Sequence, residues 1–463
     1  MKGRTTMKKT VRKIFALCLC AVLFVNTAVP AFAVDSVDYK ISNPYAGYEQ
    51  LLADPSAHYK TNLHTHSTIS DANEDYAVMI KGYYENGFDI LGFADHGVIG
   101  KYWNEKPTQL PLYLYQYIAG RKVTRLTDDE FKAITGGTYN FSESSGRVAG
   151  RGLQCVPTAI ELNMVTMTKS HVNGYFCDFG EGDIGFENGY EYAVKNVEKA
   201  GGISVINHPG DWLGSATHPE KARDIKNVRF FGDIFNKYKS CQGMEILNRV
   251  DSVGSSDRIL WDQVLQYVIP RGERTVWGFG NSDAHKLSDI DTSYMDFILP
   301  EYSLENVKKT MENGNFFVVG RRARKEMPDD FVGEGPLPQV TGLSVDDKND
   351  VITMTVKNAD KVQWIANEKI LMETTEKTAD GQIVSTIKLR EHSDDITCYV
   401  RFQAIGAGGI CFSQPFTCDD GNMARFIIED DRTDTQIFFD KLVHILSSMR
   451  IYVVFQELYR KIF

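Results

Sequence analysis

Short apolar runs alternate with amphipathic stretches between residues 59 and 320, and this alternation is the main pattern of the chain. The amphipathic stretches predict helices at Asp75–Asn86, Asn188–Ala200, Asp257–Tyr267 and Ser303–Asn313. The apolar runs predict strands at Tyr59–Leu63, Ile90–Ala94, Cys155–Ile160, Gly174–Phe179, Ile203–Ile206, Met244–Leu247, Val276–Gly280 and Met295–Leu299. Strands that alternate with helices indicate a parallel sheet or a barrel. Seven or eight strands over about 260 residues suit a (β/α) barrel.

Other regions depart from this alternation. Residues 100–152 form a long insertion rich in aromatic residues, and such insertions are usually functional flaps. A charged, Pro- and Gly-punctuated linker covers residues 321–338, and residues 421–463 end the chain with an amphipathic helix that starts near Thr433. Residues 339–420 predict a small all-β sandwich. Its predicted strands are Val351–Val356, Lys361–Ala366, Ile383–Leu389 and Thr397–Ala404.

The first 33 residues predict an export signal peptide. Basic residues precede an apolar run, Ile14–Val25, that is shorter than the ~20 residues of a membrane span. Ala31-Phe32-Ala33 then forms a small-x-small cleavage site; a retained anchor helix is the alternative. We therefore expect a secreted, extracellular protein, with association to the cell surface as a further alternative. Export permits disulfides, but the spacing of the six remaining cysteines leaves their pairing open.

Composition and charge argue against one class of function, general nucleic-acid binding. The 463 residues include 51 basic and 61 acidic side chains, for a net charge of −10. An acidic chain is a poor general nucleic-acid binder, because such proteins need a basic face against the phosphates. With 43% hydrophobic and 24% charged residues, the composition is that of a globular protein. General nucleic-acid binding is therefore not expected.

Histidines and carboxylates recur where the predicted strands end. Six strand ends or adjoining loops carry them, and the carboxyl ends of parallel strands converge on one face of a barrel. Imidazole and carboxylate groups suit Zn²⁺, Mn²⁺ or Fe²⁺, and a carboxylate can bridge two metals. The sequence therefore predicts a site for two to three divalent metal ions. The candidate ligands are His64, His66, Asp71, His96, Glu161, His171, His208, Asp283 and His285.

The same motifs carry a resemblance to a known family. They are HTHSTISD from His64, ADHG from Ala94, the strand-ending Glu161, NHP from Asn207 and SDAH from Ser282. In this order they resemble the PHP (polymerase and histidinol phosphatase) domain family over residues 59–320. The resemblance implies an α/β fold, a distorted, TIM-like (β/α)7 barrel, with up to three metals. The export signal, the insertion and the trailing β-domain are similar to the exported branch of the family, the carbaryl-hydrolase-like metallohydrolases.

The resemblance also implies how the ligands are shared among the metals. One metal would be held by His64, His66, Asp283 and Glu161. A second would be held by His171, His208 and the bridging Glu161. The third would be held by Asp71, His96 and His285.

These expectations combine into a functional hypothesis. The protein would be a secreted, metal-dependent hydrolase of phosphate esters that uses metal-activated hydroxide. Its expected partner is a small-molecule ester substrate. Glu161, His208 and Asp71 would act through that water, and Arg249, which follows another strand end, is a candidate phosphate contact. One alternative is a metal-dependent hydrolase of carboxylic or carbamate esters or amides. Another is a non-catalytic, metal-bearing surface-binding protein.

Further polar residues have weaker assignments. Arg147 and Arg151, at the end of the insertion, are additional candidates for a phosphate contact. Asp95 and Asn207, each next to a candidate ligand, are expected to orient imidazole rings. The C-terminal helix, with Lys441 among its polar residues, docks on the protein in the favoured interpretation. In the alternative it lies on a membrane or cell surface.

Overall fold

A computed structural model describes residues 38–110, 114–140, 147–148, 150–163, 169–183, 189–272 and 274–448. The predicted export signal and the end of the predicted C-terminal helix lie outside these residues. The chain divides into two compact units, Met1–Asp38 and Tyr39–Phe463. All described residues except Asp38 belong to the second unit.

The described residues form a mixed α/β structure, which confirms the predicted class. The strands are β1 (Lys40–Ser42), β2 (His58–Asn62), β3 (Ile90–Leu91), β4 (Gln154–Cys155), β5 (Ile160–Leu162), β6 (Val172–Tyr175), β7 (Ile203–Ile206), β8 (Cys241–Asn248), β9 (Trp277–Asn281), β10 (Ser293–Ile298), β11 (Phe316–Gly320), β12 (Gln339–Asp346), β13 (Val351–Lys357), β14 (Lys361–Ala366), β15 (Lys369–Thr374), β16 (Ile383–Lys388), β17 (Tyr399–Gly406), β18 (Gly409–Phe412) and β19 (Phe416–Asp419). The helices are α1 (Tyr76–Glu85), α2 (Leu114–Ile118), α3 (Asp128–Thr135), α4 (Gly189–Lys199), α5 (Pro209–Leu213), α6 (Glu220–Arg223), α7 (Ile225–Lys237), α8 (Asp257–Val268), α9 (Leu304–Asn313) and α10 (Asp434–Ser448).

Local sequence explains where several of these elements begin and end. The Asp75 carboxylate accepts the Ala77 N–H and caps α1, and the Ser303 hydroxyl caps α9 in the same way. The predicted strand Cys155–Ile160 is split into β4 and β5. Pro157 has no N–H to donate to a sheet, and Thr158 has a φ of 64°, which takes the backbone out of the extended conformation.

The strand pairings place several strand ends on one side of the molecule. β2, β3 and β4 are parallel, as are β7, β8 and β9, whereas β6 runs antiparallel to both β5 and β7. Two isolated parallel bridges, Thr65–Ala284 and His96–Glu161, connect the two groups of strands just beyond the ends of β2, β3 and β9. The candidate ligands lie in the segments around these bridges. A closed barrel stays a prediction.

The main hydrophobic core lies between strands β5–β9 and helices α4, α7 and α8. Val197 of α4, Phe231 of α7 and Leu260 of α8 are fully buried there, together with Val205 and Ile246 of the sheet. This packing holds the strands rigidly and so fixes the positions of the residues that follow them. The described cysteines are all buried free thiols: Cys155, Cys177, Cys241, Cys398, Cys411 and Cys418.

The C-terminal β-region is joined to the α/β region through one sheet. β11 pairs antiparallel with β10 on one edge and with β18 on the other, through partners such as Val318 and Phe412. β17, β14 and β15 extend this sheet, and β12, β13 and β16 form a separate antiparallel sheet. The predicted boundaries at residues 321–338 and 339–420 stay predictions.

A buried ion pair ties the C-terminal β-region to α8. The Arg401 guanidinium donates to both carboxylate oxygens of Asp262, at 2.8 and 2.7 Å, and the Tyr399 hydroxyl donates to the same carboxylate at 2.7 Å. All three side chains are buried. The contact therefore contributes to stability only while both charges are present.

Arg401→Met is expected to lower the free energy of unfolding by about 3–5 kcal/mol, because it leaves the buried Asp262 carboxylate without its cation. Denaturant unfolding followed by circular dichroism measures this. The double variant Arg401→Met/Asp262→Leu should recover most of the loss. Lys369→Met, which breaks an exposed pair with Asp395, should cost under about 1 kcal/mol. Equal losses for the buried and exposed pairs would contradict this account.

Candidate metal centre

The structure brings the nine candidate ligands together. They follow or flank the strand ends, so distant parts of the sequence meet at one point, as the hypothesis required. His64 and His66 follow β2, Asp71 lies in the next loop, His96 follows β3, Glu161 lies in β5, His171 precedes β6, His208 follows β7, and Asp283 and His285 follow β9.

Glu161 is the centre of the cluster. Its carboxylate is buried, and imidazole nitrogens approach both of its oxygens. Oε1 lies 3.2 Å from His171 Nδ1, 3.3 Å from His64 Nε2 and 3.5 Å from His208 Nε2. Oε2 lies 2.8 Å from His96 Nδ1 and 3.5 Å from His66 Nε2. One carboxylate thus faces five imidazoles, which is the position of a bridging ligand.

Two further carboxylates complete the cluster. Asp283 Oδ1 lies 3.0 Å from His66 Nε2 and 3.5 Å from His64 Nε2. Asp71 Oδ1 lies 3.3 Å from His285 Nε2 and 3.5 Å from His96 Nε2. The ligands of a tetrahedral metal, each about 2.1 Å from it, are about 3.4 Å apart. Most spacings in the cluster, at 3.2–3.5 Å, therefore fit a coordination shell better than direct hydrogen bonds of ~2.9 Å. Two are of hydrogen-bond length: 2.8 Å between His96 and Glu161 and 3.0 Å between His66 and Asp283.

The donor atoms divide into four groups, and these overlap with the expected sharing only in part, because His66 also joins Asp71, His96 and His285, and His208 also joins His64 and Asp283. In each group, one ligand atom from every residue lies within 4.8 Å of the others. The groups are Glu161, His171 and His208; His64, His66 and Glu161; His64, His208 and Asp283; and His66, Asp71, His96 and His285. The number and identity of the ions stay a prediction.

Burial and charge shift the pKa values of the cluster in both directions. Burial would raise the pKa of Glu161, but the charges of His171, His64 and His96 hold it well below its usual range. Burial together with the neighbouring His96 and His285 lowers the pKa of His66 to about 3. At neutral pH the Glu161 carboxylate is ionised and the His66 imidazole is neutral, which are the forms that bind metals. Against the effect of burial, nearby carboxylates raise the pKa of His96 and of His208 to about 9, so a metal must displace protons from these two rings.

An unsatisfied buried atom gives an independent test of whether the residues fit a metal. His171 is buried, and its Nδ1, which faces Glu161 Oε1 at 3.2 Å, has no hydrogen-bond partner among the described residues. A buried polar atom without a partner is costly. A cation between His171, His208 and Glu161 would remove that cost. We conclude that the donor set fits one or more divalent cations.

An unusual backbone conformation turns three site residues inward. His208, Arg249 and Asp283 have φ values of 25°, 50° and 43°, although none of them is glycine. Such values are uncommon for residues with a side chain and are characteristic of functional sites. Each residue comes just after β7, β8 or β9. The sharp turn directs the side chain back over the strand end instead of away from it.

Glu245 is a site residue that the sequence analysis did not identify. It lies in β8, is fully buried, and accepts the His64 Nδ1–H at 2.8 Å. Its two oxygens also accept the side-chain amides of Asn281 and Asn248, each at 3.0 Å, and the backbone N–H of His208 at 3.1 Å. The carboxylate thereby fixes the His64 tautomer, so that Nε2 faces Glu161. The available signal was an isolated acidic residue inside an apolar strand, which is costly unless it is paired.

Among the described residues, the two residues expected to orient imidazoles make hydrogen bonds to a carboxylate and to a loop. Asn207 donates its side-chain amide to Glu161 Oε1 at 2.7 Å and so orients the central carboxylate of the cluster. Asp95 accepts the Ser67 N–H at 2.9 Å and the Ser70 hydroxyl at 2.6 Å. Asp95 therefore fixes the loop that leads to Asp71. Both residues support the cluster: Asn207 does so through the Glu161 carboxylate, and Asp95 does so through the loop that leads to Asp71.

The described part of the insertion packs on this same loop. The Gln116 side chain of α2 donates to the backbone oxygens of Ser70 and Ala72, at 2.9 and 3.3 Å. Arg121 Nη1 donates to the Ala72 carbonyl at 3.2 Å. The insertion therefore holds the loop that carries Asp71, and its role as a functional flap stays a prediction.

The three candidate phosphate-binding arginines have different positions. Arg249 lies at the cluster, where its Nε is 3.1 Å from Asp283 Oδ2 and its Nη2 is 2.6 Å from His285 Nδ1. Arg147 is buried against the backbone oxygens of Tyr84 and Phe88. Arg151 binds the backbone oxygen of the first residue of β2, at the strand end opposite His64. The assignments of Arg147 and Arg151 as phosphate contacts are therefore wrong.

A cavity of about 310 Å³ opens onto the cluster. Arg249, Ser252 and Asp211 line it beside the ligands Glu161 and His208. A cavity of this volume is of the size that holds a small molecule.

Comparisons with known proteins give remote structural neighbours only. No family model matches the chain, and no curated protein matches it. Among solved structures, the chain is similar to a two-domain protein from Bacteroides vulgatus that contains a predicted PHP-like metal-dependent phosphoesterase. That likeness has 15% identity over 78% of this chain and 96% of the other, with a TM-score of 0.37.

Two further solved structures are similar to the chain with lower TM-scores. PsfC from Pseudomonas syringae shares 13% identity over 54% of this chain and 88% of its own, with a TM-score of 0.30. A candidate metal-dependent phosphoesterase from Bifidobacterium adolescentis shares 13% identity over 49% of this chain and 87% of its own, with a TM-score of 0.25. Scores this low leave the assignment of the site to the chain's own geometry.

Proposed function

We propose that the protein is a metal-dependent hydrolase that cleaves phosphate esters with water. The observation that carries the proposal is the convergence of eight imidazole and carboxylate side chains around a ninth, Glu161, beside a cavity of about 310 Å³. Two to three divalent ions, Zn²⁺, Mn²⁺ or Fe²⁺, would supply Lewis acidity and lower the pKa of water. A purely structural metal site would not need an open cavity.

The chain's own residues provide the remaining requirements of the reaction. Glu161, held by Asn207, fixes the geometry of the cluster. Arg249 places a guanidinium at the cavity wall, with 38% of its side chain exposed. A guanidinium matches the oxygens of a phosphoryl group in charge and shape. Asp71 lies on the other side of the His285 ring from Arg249. Its loop is held by hydrogen bonds from Ser67 and Ser70 to Asp95.

The arrangement of the ligand groups favours a phosphoryl substrate. The group of His66, Asp71, His96 and His285 is additional to the groups that share Glu161. A tetrahedral phosphoryl group has several oxygens that can each meet a cation. A planar carbamate or carboxylic ester offers one carbonyl oxygen and needs fewer cations. That alternative stays open to the substrate test below.

We further propose that the fold is the distorted (β/α)7 barrel of the PHP type, from the exported branch of that family. The two isolated bridges support this, because they link β3 to β5 and β2 to β9. With the other pairings they give a cyclic order of β2, β3, β5, β6, β7, β8 and β9. The signal-like residues 1–33 support secretion.

The substrate class can be tested with purified, metal-loaded protein. We expect hydrolysis of nitrophenyl phosphate, competitive inhibition by inorganic phosphate, and a loss of at least ~10-fold in kcat/KM for Asp71→Asn. His218→Ala, which removes an exposed histidine outside the cluster, should leave activity unchanged. Colorimetric assays on phosphate, carboxylic and carbamate esters measure this.

Two outcomes of the same assays would reject the proposal. Turnover of aryl esters or carbamates that survives Asp71→Asn, with no turnover of phosphate esters, would establish the alternative hydrolase. Full metal content without turnover of any ester would favour the non-catalytic binding protein.

A further inference from the structure

The C-terminal helix α10 has two faces of different character. On one face, Lys441 Nζ lies 3.5 Å from Glu191 Oε2 of α4, and Asp440 Oδ2 lies 3.4 Å from Arg432 Nη1. Ile437, on the same face, lines a small cleft with Phe230. This face docks the helix on the protein, and it fixes which side of α10 points outward.

The opposite face is apolar and exposed. At 100° per residue its side chains occupy an arc of about 140°, centred opposite the docked residues. The residues of this apolar arc and their exposed fractions are Phe438 62%, Phe439 56%, Leu442 37%, Val443 62% and Leu446 44%. Scattered exposed apolar residues are ordinary, but a continuous row that includes two phenylalanines marks an interaction surface.

We propose that the apolar arc of α10 binds the surface of a phospholipid bilayer and holds the protein there. The helix would lie in the plane of the interface, with its docked face toward the protein and the arc toward the acyl chains. This attachment does not depend on the proposed hydrolase function. Within the described residues, no helix is long and apolar enough to cross a bilayer.

The size of the patch favours lipid over a second copy of the chain. The exposed apolar area of the arc is on the order of 400–500 Å², about half of the ~800 Å² that each partner buries in a stable interface. A bilayer has no such minimum, because the binding free energy grows with each apolar side chain that enters the interface.

The sequence beyond α10 also favours lipid, and specifically anionic lipid. Met449 and Val453 continue the spacing of the apolar arc. Residues 442–463 contain three basic side chains and one acidic one, in a chain whose net charge is −10. Basic residues beside an apolar helix face add electrostatic attraction to anionic headgroups.

Vesicle flotation tests the proposal. The chain from Val34 onward is used, because Tyr39–Phe463 is one compact unit and the apolar run in residues 14–25 would bind lipid by itself. We expect it to float with vesicles of phosphatidylcholine and phosphatidylglycerol. Phe438→Asp/Val443→Asp should lower the bound fraction at least ~10-fold. Val332→Asp/Ile370→Asp, at apolar positions exposed elsewhere, should not change it.

Each other result overturns the proposal. Thermal unfolding and light scattering of the same samples show whether the variants remain folded and monomeric. A folded wild-type chain that stays with the buffer refutes lipid binding. Concentration-dependent dimers that Phe438→Asp/Val443→Asp abolishes would assign the apolar arc to a second copy instead. Equal flotation of both double variants would mean that the bound lipid contacts another surface.

Discussion

Replacement of Glu161 by glutamine should remove most of the bound metal and lower kcat by more than ~100-fold. Loss of a residue that only supports a ligand typically costs 10–100-fold in metal affinity or activity, so loss of the shared ligand should exceed that. The Glu161 carboxylate faces five imidazole nitrogens at 2.8–3.5 Å. A glutamine amide keeps the shape but loses the negative charge and one acceptor oxygen.

Elemental analysis of purified protein, combined with a hydrolysis assay, measures both effects. His218→Gln is the matched control, since His218 is an exposed histidine outside the cluster. Circular dichroism should show that Glu161→Gln remains folded, because the surrounding strands keep their packing. Unchanged metal content in Glu161→Gln would contradict the role of Glu161 as a shared ligand. If this variant also kept full activity, the assignment of the cluster as the active site would be wrong.

The candidate ligands could be predicted because their residue types and their positions at the strand ends can be read from the sequence alone. His64, His208 and Asp283 each come within three residues of the end of a predicted strand, and parallel strands bring such positions to one edge. The strand Ile203–Ile206 and the helix α8 also lie where their patterns place them, within one residue. Periodicity and strand order therefore carry most of the information about where the site is.

The supporting contacts could not be predicted, because they depend on three-dimensional proximity. Glu245 and His64 are 181 residues apart, and only the neighbouring positions of β8, β9 and β2 bring them together. The same is true of Gln116, which holds the loop of Asp71 from an insertion with no regular pattern. Arg147 and Arg151 show the opposite error: their charge suggested a substrate contact, whereas their backbone partners lie away from the site.

The C-terminal helix shows a limit of amphipathic patterns. Its sequence predicted a helix with one apolar stripe, but it did not determine which side would dock. In the structure, ion pairs such as Lys441–Glu191 fix the docked side and leave Phe438 and Val443 exposed. An apolar stripe normally faces the core. Here it faces outward, which is the observation behind the proposed lipid contact.

Glu245→Gln should weaken metal binding by about 10–100-fold although Glu245 is not among the predicted ligands. Each carboxylate oxygen accepts two hydrogen bonds, from His64 and Asn281 on one side and from the His208 N–H and Asn248 on the other. In glutamine one of these oxygens becomes an NH₂ group, which cannot accept. Either His64 or the segment that carries His208 then loses its anchor.

Metal titration with a competing chelator measures the affinity, and the KM and kcat for a phosphate ester show whether substrate binding changes as well. We expect kcat to fall with metal occupancy and to recover at saturating metal, because Glu245 positions ligands and does not contact substrate. Glu198→Gln, which alters a carboxylate that accepts the Ser240 N–H away from the site, is the matched control. Equal metal affinity in Glu245→Gln and the control would show that the His64 tautomer is fixed without this carboxylate. A loss of kcat that saturating metal does not restore would instead place Glu245 in the reaction itself.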